Sequence, residues 1–122
     1  MSAAKINLNV RNGGRSTAII DIKGEVNGFA EGALMEAYSQ AVEAGAKTLI
    51  LNFNGMDYMN SSGIGLLVTL LIRVQRQGQR LVAYGLTEHY RQIFELTRLN
   101  EAIALYANEA DALNAGMARS SS

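Results

Sequence analysis

The chain has 122 residues, the length of one domain, since domains most often run ~100–150 residues. Hydrophobic residues make up 48% and charged residues 18%, with a mean hydropathy of +0.04; this globular composition excludes disorder over the whole chain. The 11 basic and 11 acidic residues cancel, and cysteine is absent, so no broad field draws the chain to nucleic acid or an anionic membrane, and disulfides, thiolate catalysis and cysteine metal sites are excluded.

The N-terminus lacks a basic stretch followed by an apolar one, so it does not read as a signal peptide. Ile6, Leu8 and Val10 alternate with Asn7 and Asn9, the period of a half-buried strand. Asn12-Gly13-Gly14 predicts a turn. Residues 16–22, with Thr17, Ile19, Ile20 and Ile22, predict a second strand that pairs with the first as a hairpin and is broken by Gly24. Asn27-Gly28 turns the chain into a helix over about residues 30–44. Leu34, Tyr38, Ala41 and Val42 share one face of it, and Gly45 sits where a helix stops. Residues 48–53 are almost wholly apolar, which suits a strand of a parallel sheet covered on both faces.

Residues 55–60 predict a loop. A second helix follows from Ser61 or Ser62 to about Arg76, with an apolar stripe of Leu66, Leu67, Leu70, Leu71 and Val74, and Gly78 ends it. Leu81 to Tyr84 form another buried strand. Thr87 is placed to cap a third helix whose apolar set, Tyr90, Ile93, Phe94 and Leu96, is expected to pack on the sheet, leaving His89, Arg91 and Glu95 outside. Ile103 to Tyr106 form a last strand. Asn108 caps a last helix with Ala110, Leu113 and Met117 facing inward, and residues 112–122 fray into a polar tail. The most apolar stretch, Ile64 to Ile72, is about half of the ~20 residues a membrane span needs, so a soluble cytoplasmic protein without membrane insertion is expected. Strand and helix alternate after the opening hairpin. That order predicts a single α/β domain over residues 1–122: a mixed sheet of four or five strands, right-handed crossovers and four helices mainly on one face.

Catalytic constellations are nearly empty. His89 is the one histidine, which excludes a two-histidine metal site and leaves a single imidazole base. Beside Glu88 and Arg91 it reads as a solvated surface residue. Asp57 and Glu88 could pair for acid–base work, but their spacing does not demand it. No Gly-Lys-Ser/Thr follows a strand, and Gly63-Ile64-Gly65 lacks the third glycine of a dinucleotide loop. Arg73, Arg76 and Arg80 form a modest basic run that suits the negative end of a helix dipole. The residues therefore imply no enzyme, no cofactor and no metal.

One segment stands out. In Met59-Asn60-Ser61-Ser62-Gly63-Ile64-Gly65 a loop meets the start of an apolar helix. Asn60, Ser61 or Ser62 caps that helix, worth ~1 kcal/mol over alanine. Gly63 and Gly65 let it approach the sheet. A single cap leaves one hydroxyl without a role, and the positive end of a helix tolerates an added phosphate.

Gly24-Glu25-Val26-Asn27, residues 49–53 and the run from Met56 through Asp57, Met59, Asn60, Ser61, Ser62 and Gly63 to Leu67 together resemble the STAS domain. That domain is shared by sulphate-transporter tails and anti-sigma factor antagonists. Residues 90–99 resemble the family's third helix and following turn, and the likeness extends from about Ile6 to Leu113. A free-standing domain of this length is similar to the antagonist branch. The resemblance implies a regulatory module whose partner is an anti-sigma factor, a serine kinase of the ATPase type. In that branch the kinase uses ATP and magnesium to phosphorylate the first hydroxyl of an Asp-Ser-Ser/Thr-Gly pattern. The acceptor falls on Ser61, with Ser62 the second choice, and partner contacts fall on Gly24, Glu25, Asn27, Asp57, Met59, Asn60, Ser61, Ser62 and Gly63. This chain departs from the pattern twice, with Asn60 and Asn27 where the family has Asp. Both changes remove a carboxylate near the acceptor and leave open slower transfer, another kinase or none. The competing reading is an unphosphorylated STAS scaffold subunit of a signalling or transport assembly. Nothing in the pattern sets an oligomeric state.

Overall fold

The computed structural model describes the backbone of residues 5–120 and the side chains of residues 5–115. Strands β1 (Ile6–Gly14) and β2 (Thr17–Val26) form an antiparallel hairpin. Strands β3 (Thr48–Met59), β4 (Arg80–Tyr84) and β5 (Ala104–Tyr106) then add in parallel, giving one five-stranded sheet in the order β1-β2-β3-β4-β5. Leu49 lies opposite Leu81, and Ile50 opposite Val82. Four helices connect and cover the strands: α1 (Glu31–Glu43), entered through a 3-10 turn at Gly28–Ala30, α2 (Ser61–Arg76), α3 (Glu88–Leu96) and α4 (Glu109–Ser120).

Successive strand residues point to opposite faces, and the sheet uses both. Ile20, Ile22, Leu49, Leu51 and Phe53 face the main core, where they meet Leu34 and Ala41 of α1, Leu67 and Leu70 of α2, and Phe94 of α3. Phe94 meets Phe53 edge to face with ring centroids 6.2 Å apart. Ile19, Ile50, Val82 and Tyr84 face the other way, under Ala112 of α4. Three helices thus lie on one face and one on the other. Both α1 and α2 stop at a left-handed glycine. At Gly45 (φ 93°), Ala46 N–H reaches back to Ala41 O and Gly45 N–H to Val42 O; Gly78 (φ 71°) repeats the pattern with Val74 and Gln75.

A polar cluster fastens α4 to the sheet. The Arg11 guanidinium forks onto Asp21 at 2.7 and 2.8 Å and reaches Glu109 at 2.8 Å. Tyr84 donates its hydroxyl to the same Glu109 oxygen at 2.7 Å, and Asn52 donates to Asp21 at 2.8 Å. The hydrogen bonds from Arg11 hold both carboxyls below their usual range. Burial, and then the bond to Glu109, push the Tyr84 phenol up to about 12.

Several expectations are corrected. The hairpin does not turn on Asn12-Gly13-Gly14. Those residues end β1, with a register shift between Asn12 and Gly14 that twists the ribbon, and the chain reverses at Arg15 (φ 21°) and Ser16 (φ 56°). Gly24 does not end β2, which continues to Val26. Residues 55–59 are not a loop but the far half of β3, paired with Lys23 to Val26. Val42 is exposed on α1, and Leu96 is 84% exposed at the end of α3 rather than on the sheet. Residues 112–120 continue α4 instead of fraying. Ala110 is exposed, Ala112 is buried and Leu113 is half-buried. The Met117 side chain lies outside the described residues.

Candidate functional site

The C-terminal ends of β2 and β3 run side by side, with Gly24 opposite Met56, Glu25 opposite Tyr58 and Val26 opposite Met59. From there β2 enters the 3-10 turn and β3 enters α2, so two helical starts leave the same end of the sheet. Asn27 Oδ1 accepts from Phe29 N–H at 2.9 Å, and Asn60 Oδ1 accepts from Gly63 N–H at 2.9 Å. Each asparagine satisfies a backbone donor that a helical start leaves unpaired. The main chains are also tied together, since Asn60 N–H donates to Val26 O at 3.2 Å.

Gly63 makes this junction possible. A Cβ there would overlap the Val26 carbonyl and sit 2.9 Å from Met59 Cγ. Gly65, expected to share the task, has open space around it. Gly24 has a parallel role at the sheet edge: at φ 96° its absent Cβ leaves room for Lys5 O. A Cβ on Gly28 would come within 3.6 Å of Ser62 Cβ, which sets the 3-10 turn close beside the first turn of α2.

The cap settles the three alternatives open in the sequence: Asn60 holds it, and neither Ser61 nor Ser62 is needed for it. Both serines are exposed, and among the described residues neither hydroxyl has a hydrogen-bond partner. The site therefore presents two free hydroxyls at the positive end of a sixteen-residue helix. Among the described residues no imidazole or carboxylate is bonded to either, so they are not built as activated nucleophiles.

Of the other predicted contacts, Asn27 and Glu25 are half-buried on the β2 side, and Asp57 is exposed on β3. Met59 is buried; its N–H donates to the Tyr90 hydroxyl at 3.0 Å. That bond brings the start of α3 against the site. His89 is exposed there, edge to face with Tyr90 at 4.9 Å. Glu88 accepts from Gln92 within its own helix, not from the Asp57 side. Among the described residues no group of three or more histidines and carboxylates is placed to hold a metal ion.

Three side chains of the site escaped the sequence reading. Phe29 is 67% exposed and Tyr58 51% exposed, one on the 3-10 turn and one on β3 two residues before Asn60. Both aromatic side chains leave apolar area in water near the two helical starts. Tyr90 reads as core by its spacing, and only the fold gives its hydroxyl a backbone partner.

The STAS domain profile matches residues 5–112. The chain belongs to the STAS domain family. This STAS domain is 30% identical over 88 residues to the anti-sigma-B factor antagonist of Bacillus subtilis, covering 72% of this chain and 80% of that one. Among solved structures it superposes on an anti-sigma factor antagonist from Mycobacterium paratuberculosis with a TM-score of 0.76 at 21% identity, covering 94% and 97% of the two chains. The Bacillus cell fate determinant SpoIIAA in its phosphorylated form gives 0.69 at 23% identity, covering 88% and 97%. These likenesses establish the SpoIIAA-like α/β fold. Among the described residues no helix is long and apolar enough to cross a membrane.

Proposed function

We propose that this STAS domain is an anti-sigma factor antagonist that changes partner by phosphorylation of Ser61. The observation that carries the reading is the division of labour at the start of α2: Asn60 caps the helix, so the Ser61 hydroxyl is free to be modified without loss of a structural bond. An ATP-dependent anti-sigma kinase would move the γ-phosphoryl group to Ser61 Oγ, releasing ADP and the hydroxyl proton. The product carries about −1.5 to −2 charges at neutral pH. At a helix N-terminus that charge is locally favourable, so the fold is kept.

The effect falls instead on the interface. Exposed Phe29 and Tyr58 supply apolar area beside the acceptor. A partner seated there would have to bury the phosphate, at a cost of several kcal/mol without a matched cation. Glu25, Asn27, Asp57, Met59, Ser62 and Gly63 complete or support this contact surface, and Gly24 sets the strand geometry behind it. Asn27 and Asn60 cap as aspartates would but bring no charge. Kinase and metal therefore meet fewer carboxylates here, and transfer is expected to be slow.

The test is incubation with the cognate anti-sigma kinase and magnesium ATP, then mass spectrometry of the peptide holding residues 59–65. Phosphate on Ser61, weaker binding by Ser61→Asp and faster transfer in Asn60→Asp are the expected results. Phosphate on Ser62 alone refutes the residue assignment. No phosphate, with binding indifferent to Ser61→Asp, leaves the scaffold reading.

A further inference from the structure

The two edges of the sheet are unlike. β5 has three residues, and so short an edge offers little to pair with. β1 has nine, and among the described residues its only strand neighbour is β2. Monomeric proteins blunt long edges with proline, lysine or bulges. Here proline is absent from the chain, the one register shift lies beyond Asn12, and Lys5 precedes the strand. The stretch from Ile6 to Val10 is an open template.

The pairing with β2 fixes which backbone groups are free. Lys5 O accepts from Glu25 N–H, so Lys5, Asn7, Asn9 and Arg11 turn their backbone groups toward β2. Ile6, Leu8, Val10 and Asn12 then point theirs outward. The side chains alternate as well. Ile6, Leu8 and Val10 line the rim of the main core and are only half-buried, while Asn7 and Asn9 are exposed on the other face.

We propose that two copies of this chain pair antiparallel through β1, about a two-fold axis at Asn9, to make one continuous ten-stranded sheet. In this register Leu8 meets Val10 of the second copy and Ile6 meets Asn12, all with outward backbone groups. Eight hydrogen bonds can form, two for each of four pairs. The aliphatic residues of both copies then lie side by side on the helix-bearing face and finish covering each other. On the other face Asn9 meets its own copy and Asn7 meets Arg11.

No like charges oppose each other. Arg11 is neutralised within its own chain by Asp21 and Glu109. Moving the axis to Leu8 would set Lys5 opposite Arg11, an unfavourable cross-strand pair, and would lose the pair between Ile6 and Asn12. Charge and hydrogen bonding therefore favour the axis at Asn9 over one at Leu8.

Because the chain has no native cysteine, introduced thiols can read this register. Asn9 pairs are of the non-hydrogen-bonded kind, whose side chains approach closely. Asn9→Cys under mild oxidation is expected to give a disulfide-linked dimer, and Asn7→Cys is not, since its neighbour across the axis is Arg11. Sedimentation equilibrium of the native chain should show a reversible dimer. Asn9→Lys sets two ammonium groups face to face only in the dimer, and should weaken association about tenfold while circular dichroism stays native. The Asn9 amide also donates to Asp21 at 3.4 Å, so Asn9→Gln, which keeps a neutral donor, is the control expected to dimerise as the native chain does. A native chain that stays monomeric up to millimolar concentration, with no cross-linking at residue 9, overturns the proposal. So does a dimer indifferent to Asn9→Lys, or one that cross-links equally well through residue 7.

Discussion

Gly63 and Gly65 lie two residues apart in α2, and replacing each by alanine is expected to shift stability in opposite directions. In an exposed helix interior, Gly→Ala is favourable by about 1 kcal/mol. Gly65 is exposed and its Cβ position is empty, so Gly65→Ala should gain that amount. At Gly63 the same methyl meets main chain. It overlaps the Val26 carbonyl oxygen and comes within 2.8 Å of the Val26 carbonyl carbon. Neither atom can rotate away as a flexible side chain would, so α2 must lift from β2. Overpacking of this kind costs about 1–3 kcal/mol, at the upper end when backbone must move. The lift also stretches the bond from Asn60 N–H to Val26 O, worth about 1 kcal/mol. After the helix-propensity gain, Gly63→Ala should lose about 2–3 kcal/mol. For a chain of this size that lowers Tm by roughly 10 °C, while Gly65→Ala raises it by roughly 4 °C. Thermal and urea unfolding of the two variants are the assay. Equal stabilities, or a Gly63→Ala protein as stable as the native one, would refute the close approach of α2 to β2.

Asn60→Ala should cost about 1 kcal/mol through loss of the cap, whereas Ser61→Ala and Ser62→Ala should each stay within about 0.5 kcal/mol, all read by urea unfolding. Tyr90→Phe leaves the buried Met59 N–H without an acceptor and should cost about 1–3 kcal/mol. Phe94→Ala empties a fully buried site beside Phe53 and should cost about 3–5 kcal/mol, whereas Leu96→Ala, on an exposed side chain, should change stability by less than about 0.5 kcal/mol. Acid should loosen α4 first. Asp21 and Glu109 both have lowered folded values, so their contribution is present above the ordinary carboxylate range and is lost as pH falls through those lowered values. Amide exchange of α4 should accelerate below about pH 4 while β2 and β3 remain protected; simultaneous loss of both would show that the cluster does not act as the fastening.

The parts of the fold that burial dictates were legible in the residues. Residues 49–51 and 81–84 are continuous apolar runs because both faces of the sheet are covered, and they pair as parallel central strands. The far half of β3 was not legible. Asn54, Asp57 and Tyr58 are exposed and Gly55 has no side chain, and the pairing of Gly55, Met56, Tyr58 and Met59 with Lys23 to Val26 is made by backbone groups, which every residue carries. The reversal at Arg15 and Ser16 was hidden for a related reason. Both hold positive φ without being glycine, so the signal of Gly13 and Gly14 pointed to the register shift beside the turn. Leu96 shows the limit of reading apolar residues as core: its position in α3 is about 200° around the helix from Phe94, which is buried. At the site, the pair of hydroxyls was legible as chemistry. The choice of Asn60 as the cap was not, because asparagine and serine cap almost equally well and only the main-chain path decides which side chain reaches Gly63.

That choice bears on how a switch can be added to a stable domain. Had Ser61 or Ser62 supplied the cap, phosphorylation would have acted on the very bond that starts α2, and the modified protein would have had to refold its helix end. With Asn60 as the cap and Gly63 seating the helix against Val26, the start of α2 is fixed by groups that no kinase modifies. A phosphate on Ser61, as proposed, would then change local charge without changing the scaffold that presents it. The aromatic rings of Phe29 and Tyr58 sit on separate elements tied together by the bond from Asn60 N–H to Val26 O, so under the proposed switch a partner would meet the same apolar side chains with or without the phosphate. On that proposal the two states would differ in whether those side chains can be desolvated, which is a difference in binding free energy alone. Ser61→Asp is therefore expected to keep the native unfolding curve and the native far-ultraviolet spectrum while losing partner affinity. A loss of affinity accompanied by a comparable loss of stability would mean instead that Ser61 belongs to the structure of the helix start.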